Sequence, residues 1–334
     1  MTQVYSVFAT MREIIRKCHK CGGDRRGLLA ALCMVASMGM AQPHTLLTWN
    51  VENLFDCRHD TLKNDLEFLP NSNRRWTVQR YRRKLVQTAR LIASVTPENG
   101  WPLLVGLQEV ENRQVMDDLT RQSPLAKVGY AYVMTDSPDE RGIDVALMYR
   151  PDAFHYLSHR SVRVPSVENG LRPTRDILVV KGVVEGVDTL HVAVVHLPSR
   201  AGESRAGSRN RMLAASTLRS VADSLHGKRL LVMGDFNAEA GDPIFEQLCP
   251  PLHDMMPSTR RHRPQGTYYF QRQWATLDHM LASDSLLPFL PTEARIVDLP
   301  FLKDKDGHPW RTYRGPTYTG GTSDHLPVMI VLGD

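Results

Sequence analysis

Cysteine is scarce in this chain, and its placement excludes more than its number does. Five cysteines occur in 334 residues, and Cys18, Cys21 and Cys33 fall within the first 41. Cys57 and Cys249 follow later; two cysteines permit one disulfide and require none. Cys18-x-x-Cys21 has metal-clip spacing but no second Cys/His pair beside it, so it is not read as a zinc site. Cys33 follows Leu32, not the small residue a lipoprotein box needs. No run of 18 apolar residues occurs, which argues against a conventional membrane-spanning helix. The chain also lacks internal repeats and low-complexity linkers. Wholesale disorder is excluded, because 42% hydrophobic against 23% charged residues allows a large core.

A basic excess is present, but it is unevenly spread. The chain holds 41 Lys/Arg against 36 Asp/Glu. Residues 1–41 contribute six bases (Arg12, Arg16, Lys17, Lys20, Arg25, Arg26) against two acids, leaving 35 against 34 beyond them. After Arg25-Arg26 comes GLLAALCMVASMGMAQP, a short apolar stretch ending in small residues. A charged region, a short apolar region and Gly39-x-Ala41 predict a secretory signal over 1–41, cleaved before Gln42. The charged region is long, so translation could begin downstream, for example at Met11. Residues 42–334 then form one domain, exported to the periplasm or the medium. Without the leader, overall charge no longer argues for a nucleic-acid or membrane partner; local basic clusters alone do.

Short apolar runs alternate with amphipathic segments from Thr45 onward. Strands are predicted at Leu46–Trp49, Leu103–Leu107, Asp144–Tyr149, Ile177–Val184, Leu190–Val195, Leu230–Met233, Thr276–Leu281 and Pro327–Leu332. Tyr81, Leu85, Ala89 and Ile92 stand at helical spacing within 79–95. Further helices are expected at 111–122 and 208–225. Many strands without regular crossover helices imply an α/β fold of two packed sheets with helices outside, rather than one doubly wound sheet.

Polar residues gather where these strands stop. WNVEN closes one run with Asn50 and Glu52, LQE closes another with Glu109, and VVH closes a third with His196. GDFN ends a fourth with Asp235 and Asn237; Asp278 interrupts a fifth, and Asp324-His325 precedes the last. A charged group after a buried strand is costly unless paired or metal-bound. One such case is ordinary, whereas six in one chain form a pattern. Asn50, Glu109 and Asp324 are hard oxygen donors suited to Mg²⁺, Mn²⁺ or Ca²⁺. Cysteine is missing from all six sites, which argues against structural zinc. Two histidines with acid partners suit acid–base work near neutral pH. Together these groups fit metal-assisted hydrolysis of a phosphate ester.

The series WNVEN, LQEVEN, VVHLPSR, GDFNAEAGDP, LDH and GTSDHLP resembles the endonuclease/exonuclease/phosphatase superfamily, the fold of pancreatic deoxyribonuclease. GIDVALMYR, LRPTRD and GTYYFQRQWATLDHM further resemble its secreted bacterial members. The resemblance implies a four-layered α/β sandwich, two mixed sheets face to face with helices outside, and an active site at one end. It implies Glu109 as the leading metal ligand, with Asn50, Asp324 and, where some members carry Asp, Glu52. His325 resembles the catalytic histidine, oriented by Asp278. Asp235 would align or deprotonate the attacking water, and Asn237 would bond the phosphoryl oxygen or the water. Whether Asp235 or His325 is the general base stays open. His196 matches a second histidine of the deoxyribonuclease-like branch, with Asp144 a candidate orienter by analogy. Arg175 resembles a phosphate-contacting position, and Arg200 and Arg209 offer further guanidinium forks. Arg205 and Arg211 read as solvated surface residues.

Arg74, Arg75, Arg80, Arg82, Arg83 and Lys84 form a denser cluster, either a phosphate-backbone track or a solvated helix face. Trp76, Tyr268, Tyr269, Phe270 and Trp274 could stack on a base or sugar, though Trp274 could equally be core. The leading expectation is a secreted, monomeric, Mg²⁺- or Mn²⁺-dependent endonuclease on nucleic acid, without stable membrane insertion. The alternative is a phosphatase or phosphodiesterase for lipid headgroups or small organophosphates. A non-catalytic binding module on the same fold has no use for paired His/Asp groups beside a metal acid.

Overall fold

Buried residues run almost unbroken through His44–Leu54, nine of the eleven, on both faces of the strand. A strand so patterned must be covered on both faces. The protein, described by a computed structural model over residues 43–95, 100–199, 205–257 and 265–333, builds both covers. These residues fall in one compact unit, Pro43–Asp334. The expected leader and cleavage site, and Arg200, lie outside the described residues. No described helix is long and apolar enough to cross a membrane.

The described strands are, in chain order, β1 (His44–Leu54), β2 (Leu104–Val110), β3 (Ala131–Met134), β4 (Asp144–Tyr149), β5 (Phe154–Val162), β6 (Ile177–Val184), β7 (Asp188–His196), β8 (Arg229–Asp235), β9 (Leu252–Asp254), β10 (Tyr268–Phe270), β11 (Gln273–Ala275), β12 (Asp278–Ser283), β13 (Arg295–Ile296), β14 (Tyr313–Arg314), β15 (Thr317–Tyr318) and β16 (Val328–Leu332). Six pair in the order β13-β16-β1-β2-β4-β3, and six more as β5-β6-β7-β8-β12-β9. Each sheet is mixed: β1 runs parallel to β2 and β7 parallel to β8, while the other pairings are antiparallel. Two small hairpins, β10–β11 and β14–β15, stand apart from the sheets.

Three apolar cores separate four layers. Leu46, Leu104, Leu147, Val180, Val192, Leu231 and Met280 pack between the sheets. On the outer face of the first sheet, Leu47, Trp49, Val105 and Leu107 meet Tyr81, Leu85, Ala89 and Ile92 of helix α1 (Val78–Ser94). Outside the second sheet, Val179, Ala193, Val195 and Val232 meet Ala214, Leu218 and Val221 of a later helix (Arg205–Ser224). Each large aliphatic side chain so buried stabilises the fold by about 1.5–3 kcal/mol before entropy is counted. The expected α/β sandwich is what the chain forms. The helix expected at 111–122 is a short α2 (Arg113–Asp117), capped by the Asn112 side chain, that passes into a π-helical turn over Asp118–Gln122. The later helix is thus α3, and α4 (Pro243–Leu248) follows it. β5 was not expected from the sequence: it is an edge strand with seven of its nine residues exposed, so it carries no apolar period to read.

Strand alternation then sets the position of the polar residues. Leu190, Val192 and Val194 of β7 face the inter-sheet core, and the next residue on that face is His196. Leu231 and Met233 of β8 lead to Asp235 in the same way, and Met280 of β12 leads back to Asp278. The site is therefore the open end of the inter-sheet core. Gly234 sits between two of these strands at φ 149°, where an added Cβ would lie 2.0 Å from the Val195 carbonyl oxygen, so no larger residue fits there.

Candidate active site

Three adjacent strands of the second sheet carry His196, Asp235 and Asp278 side by side. The register pairs His196 with Asp235 and Asp235 with Asp278. All three are buried. His325 arrives from the loop before β16 and is fixed through its backbone. Its N–H donates to Ser323 Oγ at 3.0 Å, and its carbonyl accepts from Trp49 Nε1 at 3.0 Å. Ser323 Oγ in turn donates to the Asn50 carbonyl at 2.6 Å. The ring then places Nδ1 2.7 Å from Asp278 Oδ2 and Nε2 3.9 Å from Asp235 Oδ2. Tyr268 lies against it, with ring centroids 4.8 Å apart.

Asp235 is the hub of this arrangement. Its Oδ2 accepts from Asn50 Nδ2 at 3.0 Å and lies 3.5 Å from His196 Nε2, while its Oδ1 accepts the Asn237 N–H at 2.8 Å. Burial pushes its carboxyl up to about 7, aided by the charge of Asp278 and opposed by His325 and the Asn50 hydrogen bond. Burial alone would lower His325, but the carboxylates of Asp278 and Asp235 carry it well above the ordinary histidine value. His196 moves the opposite way. Burial, then the charges of Arg175, Arg141 and His325, hold it well below that value. Its Nδ1 is buried without a hydrogen-bond partner among the described residues.

The first sheet contributes oxygen ligands. Asn50 ends the inward-facing series of β1, and its Oδ1 accepts the Glu52 N–H at 2.9 Å. Glu52, Asn53 and Glu109 all have φ near the left-handed region, at 50°, 52° and 64°. Such backbone is disfavoured for Glu and is found where a side chain must be re-aimed. Glu109 Oε2 accepts the Asn53 N–H at 2.8 Å; Oε1 lies 3.9 Å from His196 Nε2. Glu52 Oε2 accepts the Thr312 N–H at 2.6 Å, and burial followed by the charge of Asp324 raises its carboxyl. Asp324 Oδ2 is paired with Arg311 at 2.7 Å.

The donor set suits a hard divalent cation. Its members are oxygen atoms, and Glu109 Oε1 accepts no hydrogen bond among the described residues. Ligand atoms of Asp235, Asp278 and His325 also lie within 4.8 Å of one another, a second metal-capable group, though His325 Nδ1 is already engaged by Asp278.

Other residues do not take the places expected of them. Asp144 does not orient His196: it accepts from Thr135 Oγ1 at 2.5 Å, the Ser137 N–H at 3.0 Å and the Ser137 hydroxyl. Arg175 is not available to phosphate. It is buried, and its guanidinium donates to the carbonyls of His196 and Leu197 at 3.2 and 2.8 Å and to Asp139 Oδ2 at 3.1 Å. Arg209 is exposed on α3. Arg211 is not a solvated residue but buried, with Asp242 3.6 Å away. Asn237 turns its amide to the Leu197 carbonyl at 3.0 Å. Lys84 leaves the basic cluster for the interior, donating to the Glu52 carbonyl and, at 2.6 Å, to Thr312 Oγ1. Arg74 and Arg80 lie over the Tyr313 and Tyr318 rings at 5.2 and 4.2 Å. Trp76 is core, with its indole N–H on the Phe55 carbonyl.

Two residues at the site were not singled out from sequence, Arg141, 3.8 Å from Glu109, and Arg311 on Asp324, and Lys84 was read with the basic cluster and not as a buried cation. None follows a buried strand, which was the signal that found the others.

A family model described as the endonuclease/exonuclease/phosphatase family matches residues 45–334. No curated protein matches the sequence. Among solved structures, humanized TDP2 of D. rerio superposes with a TM-score of 0.57 at 18% identity, covering 87% of this chain and 98% of that one. The human Nocturnin catalytic domain with bound sulfate also scores 0.57 at 18% identity, covering 87% and 94%. A mannosyl-6-phosphatase from Bacteroides thetaiotaomicron scores 0.53 at 14%, covering 86% and 99%. At such identities the likeness is one of fold. The match across nearly all of the described residues, on a sandwich whose open end holds this Asn, Glu, Asp and His set, makes the chain a member of the endonuclease/exonuclease/phosphatase family of metal-dependent phosphoesterases.

Proposed function

We propose that this phosphoesterase uses Mg²⁺ or Mn²⁺ and cleaves phosphodiester bonds, with nucleic acid as its substrate. The observation that supports the chemistry is the Asp278–His325 pair facing Asp235, with His196 on the other side and the oxygen donors Asn50 and Glu109 within reach. Glu109 and Asn50, with Asp324, would hold the cation. Bound there, it supplies Lewis-acid polarisation of a phosphoryl oxygen.

The remaining work falls to side chains of the chain. Asp278 fixes Nδ1–H of His325, so the ring keeps its proton and offers Nε2–H to a phosphoryl oxygen. A histidine so held is a poor base. Asp235, whose carboxyl is raised toward neutrality, takes the proton of the attacking water, and Asn50 fixes the direction of its Oδ2. His196 is neutral. With no partner on Nδ1, its proton belongs on Nε2, facing Asp235 and Glu109, where it donates a hydrogen bond to the substrate.

The nucleic-acid reading is supported by the β10–β11 hairpin. The Tyr268 ring lies tilted against His325, Phe270 at the hairpin end is 51% exposed, and the Arg311 guanidinium lies 5.8 Å from the Tyr268 ring. Aromatic faces next to a cation suit a base or sugar. A second reading, a small organophosphate, is favoured by the fate of the basic cluster, since Lys84, Arg74 and Arg80 serve the interior and neighbouring rings instead of a backbone track. Relatives in fold span both classes: one TDP2 structure holds a single-strand DNA product, and another relative is a mannosyl-6-phosphatase. Export is proposed on the leader sequence alone, and the monomeric state on the single domain.

Purified protein with Mg²⁺ or Mn²⁺ should be assayed in parallel on single-stranded DNA, plasmid DNA, RNA, sugar phosphates and phosphoinositides. Turnover of nucleic acid above the other substrates is expected. Turnover of sugar phosphate alone would replace the first reading with the second.

A further inference from the structure

We infer that Arg141 is a substrate-binding residue, a guanidinium poised to grip a non-bridging oxygen of the phosphate that the site hydrolyses. The inference rests on the phosphoester reading above and adds a residue to it.

A phosphate entering this site meets four acids, Glu109, Asp235, Asp278 and Asp324. It needs fixed positive charge to compensate. Most cations nearby are already committed. Lys84 is buried behind Glu52, Arg175 is buried on backbone carbonyls and Asp139, and Arg311 is paired with Asp324. Arg141 differs from all of them. Its side chain is 47% exposed, and its Nη2 stands 3.8 Å from Glu109 Oε1, too far for a hydrogen bond. No other guanidinium contact of Arg141 is formed among the described residues.

The loop bearing Arg141 is held with unusual care. Lys63 Nζ donates to the carbonyls of Ser137 and Asp139 at 2.7 and 3.1 Å. Asp139 receives Arg175 on Oδ2 and the Arg141 N–H on Oδ1 at 3.0 Å. Asp144 gathers Thr135 and Ser137, and the Ser137 hydroxyl also receives the Asp176 N–H at 3.1 Å. Gly142 turns the chain at φ 76° directly against the Lys63 stem. A solvated arginine gains nothing from such a cradle, because exposed ion pairs contribute little. A phosphate-binding guanidinium does, because a pre-positioned fork loses less entropy on binding two oxygens. Asp144 and Arg175 thus serve the reaction by positioning the Arg141 loop, not by touching substrate.

The test compares wild type, R141A and R141K. Calorimetry with inorganic phosphate, with and without Mg²⁺, reads binding; bis(p-nitrophenyl) phosphate reads turnover; Mg²⁺ titration reads the metal. R141A should weaken phosphate binding roughly tenfold to a hundredfold, the worth of a charge-assisted hydrogen bond or two. R141K should recover only part of it, and added guanidinium ion should restore some turnover to R141A. D144A should show the same defect in wild type and none further in R141A. Unchanged phosphate affinity in R141A overturns the inference. So does tighter Mg²⁺ binding alone, which would make Arg141 a mere counter-ion to Glu109. If wild type turns over no ester yet R141A loses phosphate affinity, the phosphoester reading falls and the anion site stands. If both proteins turn over the ester equally, the reverse holds.

Discussion

The half of the site on β7, β8 and β12 is built differently from the half on β1 and β2. In the first, His196, Asp235 and Asp278 are the last inward-facing members of regular strands, fixed by ladder register. In the second, Glu52, Asn53 and Glu109 leave the ladder in left-handed backbone, and the two Glu carboxylates are aimed by single N–H donors. The first half fixes Nδ1 of His325 on Asp278 and leaves Nε2 of both histidines facing Asp235, as acid–base chemistry needs. The second half gathers oxygens on bent backbone, as a cation-binding site needs. Strand register sets neighbouring side chains about 4.8 Å apart in a fixed row, whereas leaving the ladder lets a carboxylate be re-aimed out of that row.

Breaking the register-fixed half should cost most. Asp235→Asn and His325→Ala should each lower kcat about 10²–10⁴-fold, the usual worth of a positioned acid–base group. His325→Ala combined with Asp278→Asn should be no worse than the single histidine change, because the pair acts as one unit. Excess Mg²⁺ should restore none of this activity. Simple additivity of the two changes would disprove the pairing.

The oxygen half should fail in a way that metal can repair. Glu109→Gln should raise the Mg²⁺ concentration for half-maximal activity at least tenfold, with part of kcat returning at saturating metal. EDTA should abolish wild-type activity. If Glu109→Gln lowers kcat without moving the Mg²⁺ requirement, Glu109 belongs to the proton-handling half, beside His196.

A smaller effect separates structural from surface charge in the oxygen half. Lys84 is fully buried, and it ties the Glu52 carbonyl of β1 to Thr312. Burial lowers its pKa, and the nearby carboxylates Glu52, Asp324 and Glu109 oppose that. Lys84→Met should destabilise the protein by about 3 kcal/mol in urea denaturation, because it leaves an uncompensated buried carboxylate. Arg82→Ala, an exposed neighbour on the same helix, should change stability by less than about 0.5 kcal/mol. Equal effects would return Lys84 to the surface cluster.

The contrast also explains what was legible in the sequence. The two-sheet sandwich followed from apolar runs of strand length, and each strand-end acid or histidine marked a ladder that stops at the open end. Residues that stand at strand ends were thus readable: Asp278 and His325, Asp235, His196. Residues whose partners leave no strand-end signal were not. Lys84 sits in an Arg-rich helix, and segments 32 and 228 positions away make it internal. Asp144 looked like a partner for His196, yet hydroxyls a few residues earlier claim it. Arg175 lies in a phosphate-contact motif, but carbonyls after β7 consume its guanidinium. β5 has no apolar period because nothing covers it.

The finest test of register as the source of function lies in two neighbouring residues of β12. Asp278 faces the inter-sheet site, and His279, one position on, faces the opposite side. Both belong to an Asp–His pair: His279 Nδ1 lies 2.9 Å from Asp254 Oδ2 and its Nε2 about 3 Å from the carbonyls of Ala238 and Thr276. The Phe236 and Phe245 rings enclose it. Each ring nitrogen thus meets an acceptor, which only the imidazolium satisfies fully. Burial lowers the His279 pKa, but the Asp254 hydrogen bond and charge outweigh it and raise the net value above 6.5. A histidine with a raised folded-state pKa contributes its full stability below pH 6.5, and loses it as pH rises through the folded value. Asp254→Asn should therefore cost about 2 kcal/mol near pH 6 and progressively less toward pH 9. Turnover of the folded variant should match wild type at every pH, because His279 touches nothing at the site. A pH-independent loss of stability would mean that His279 is neutral. A loss of turnover at constant stability would mean that the two faces of β12 are not separate, and that register alone does not assign the catalytic pair.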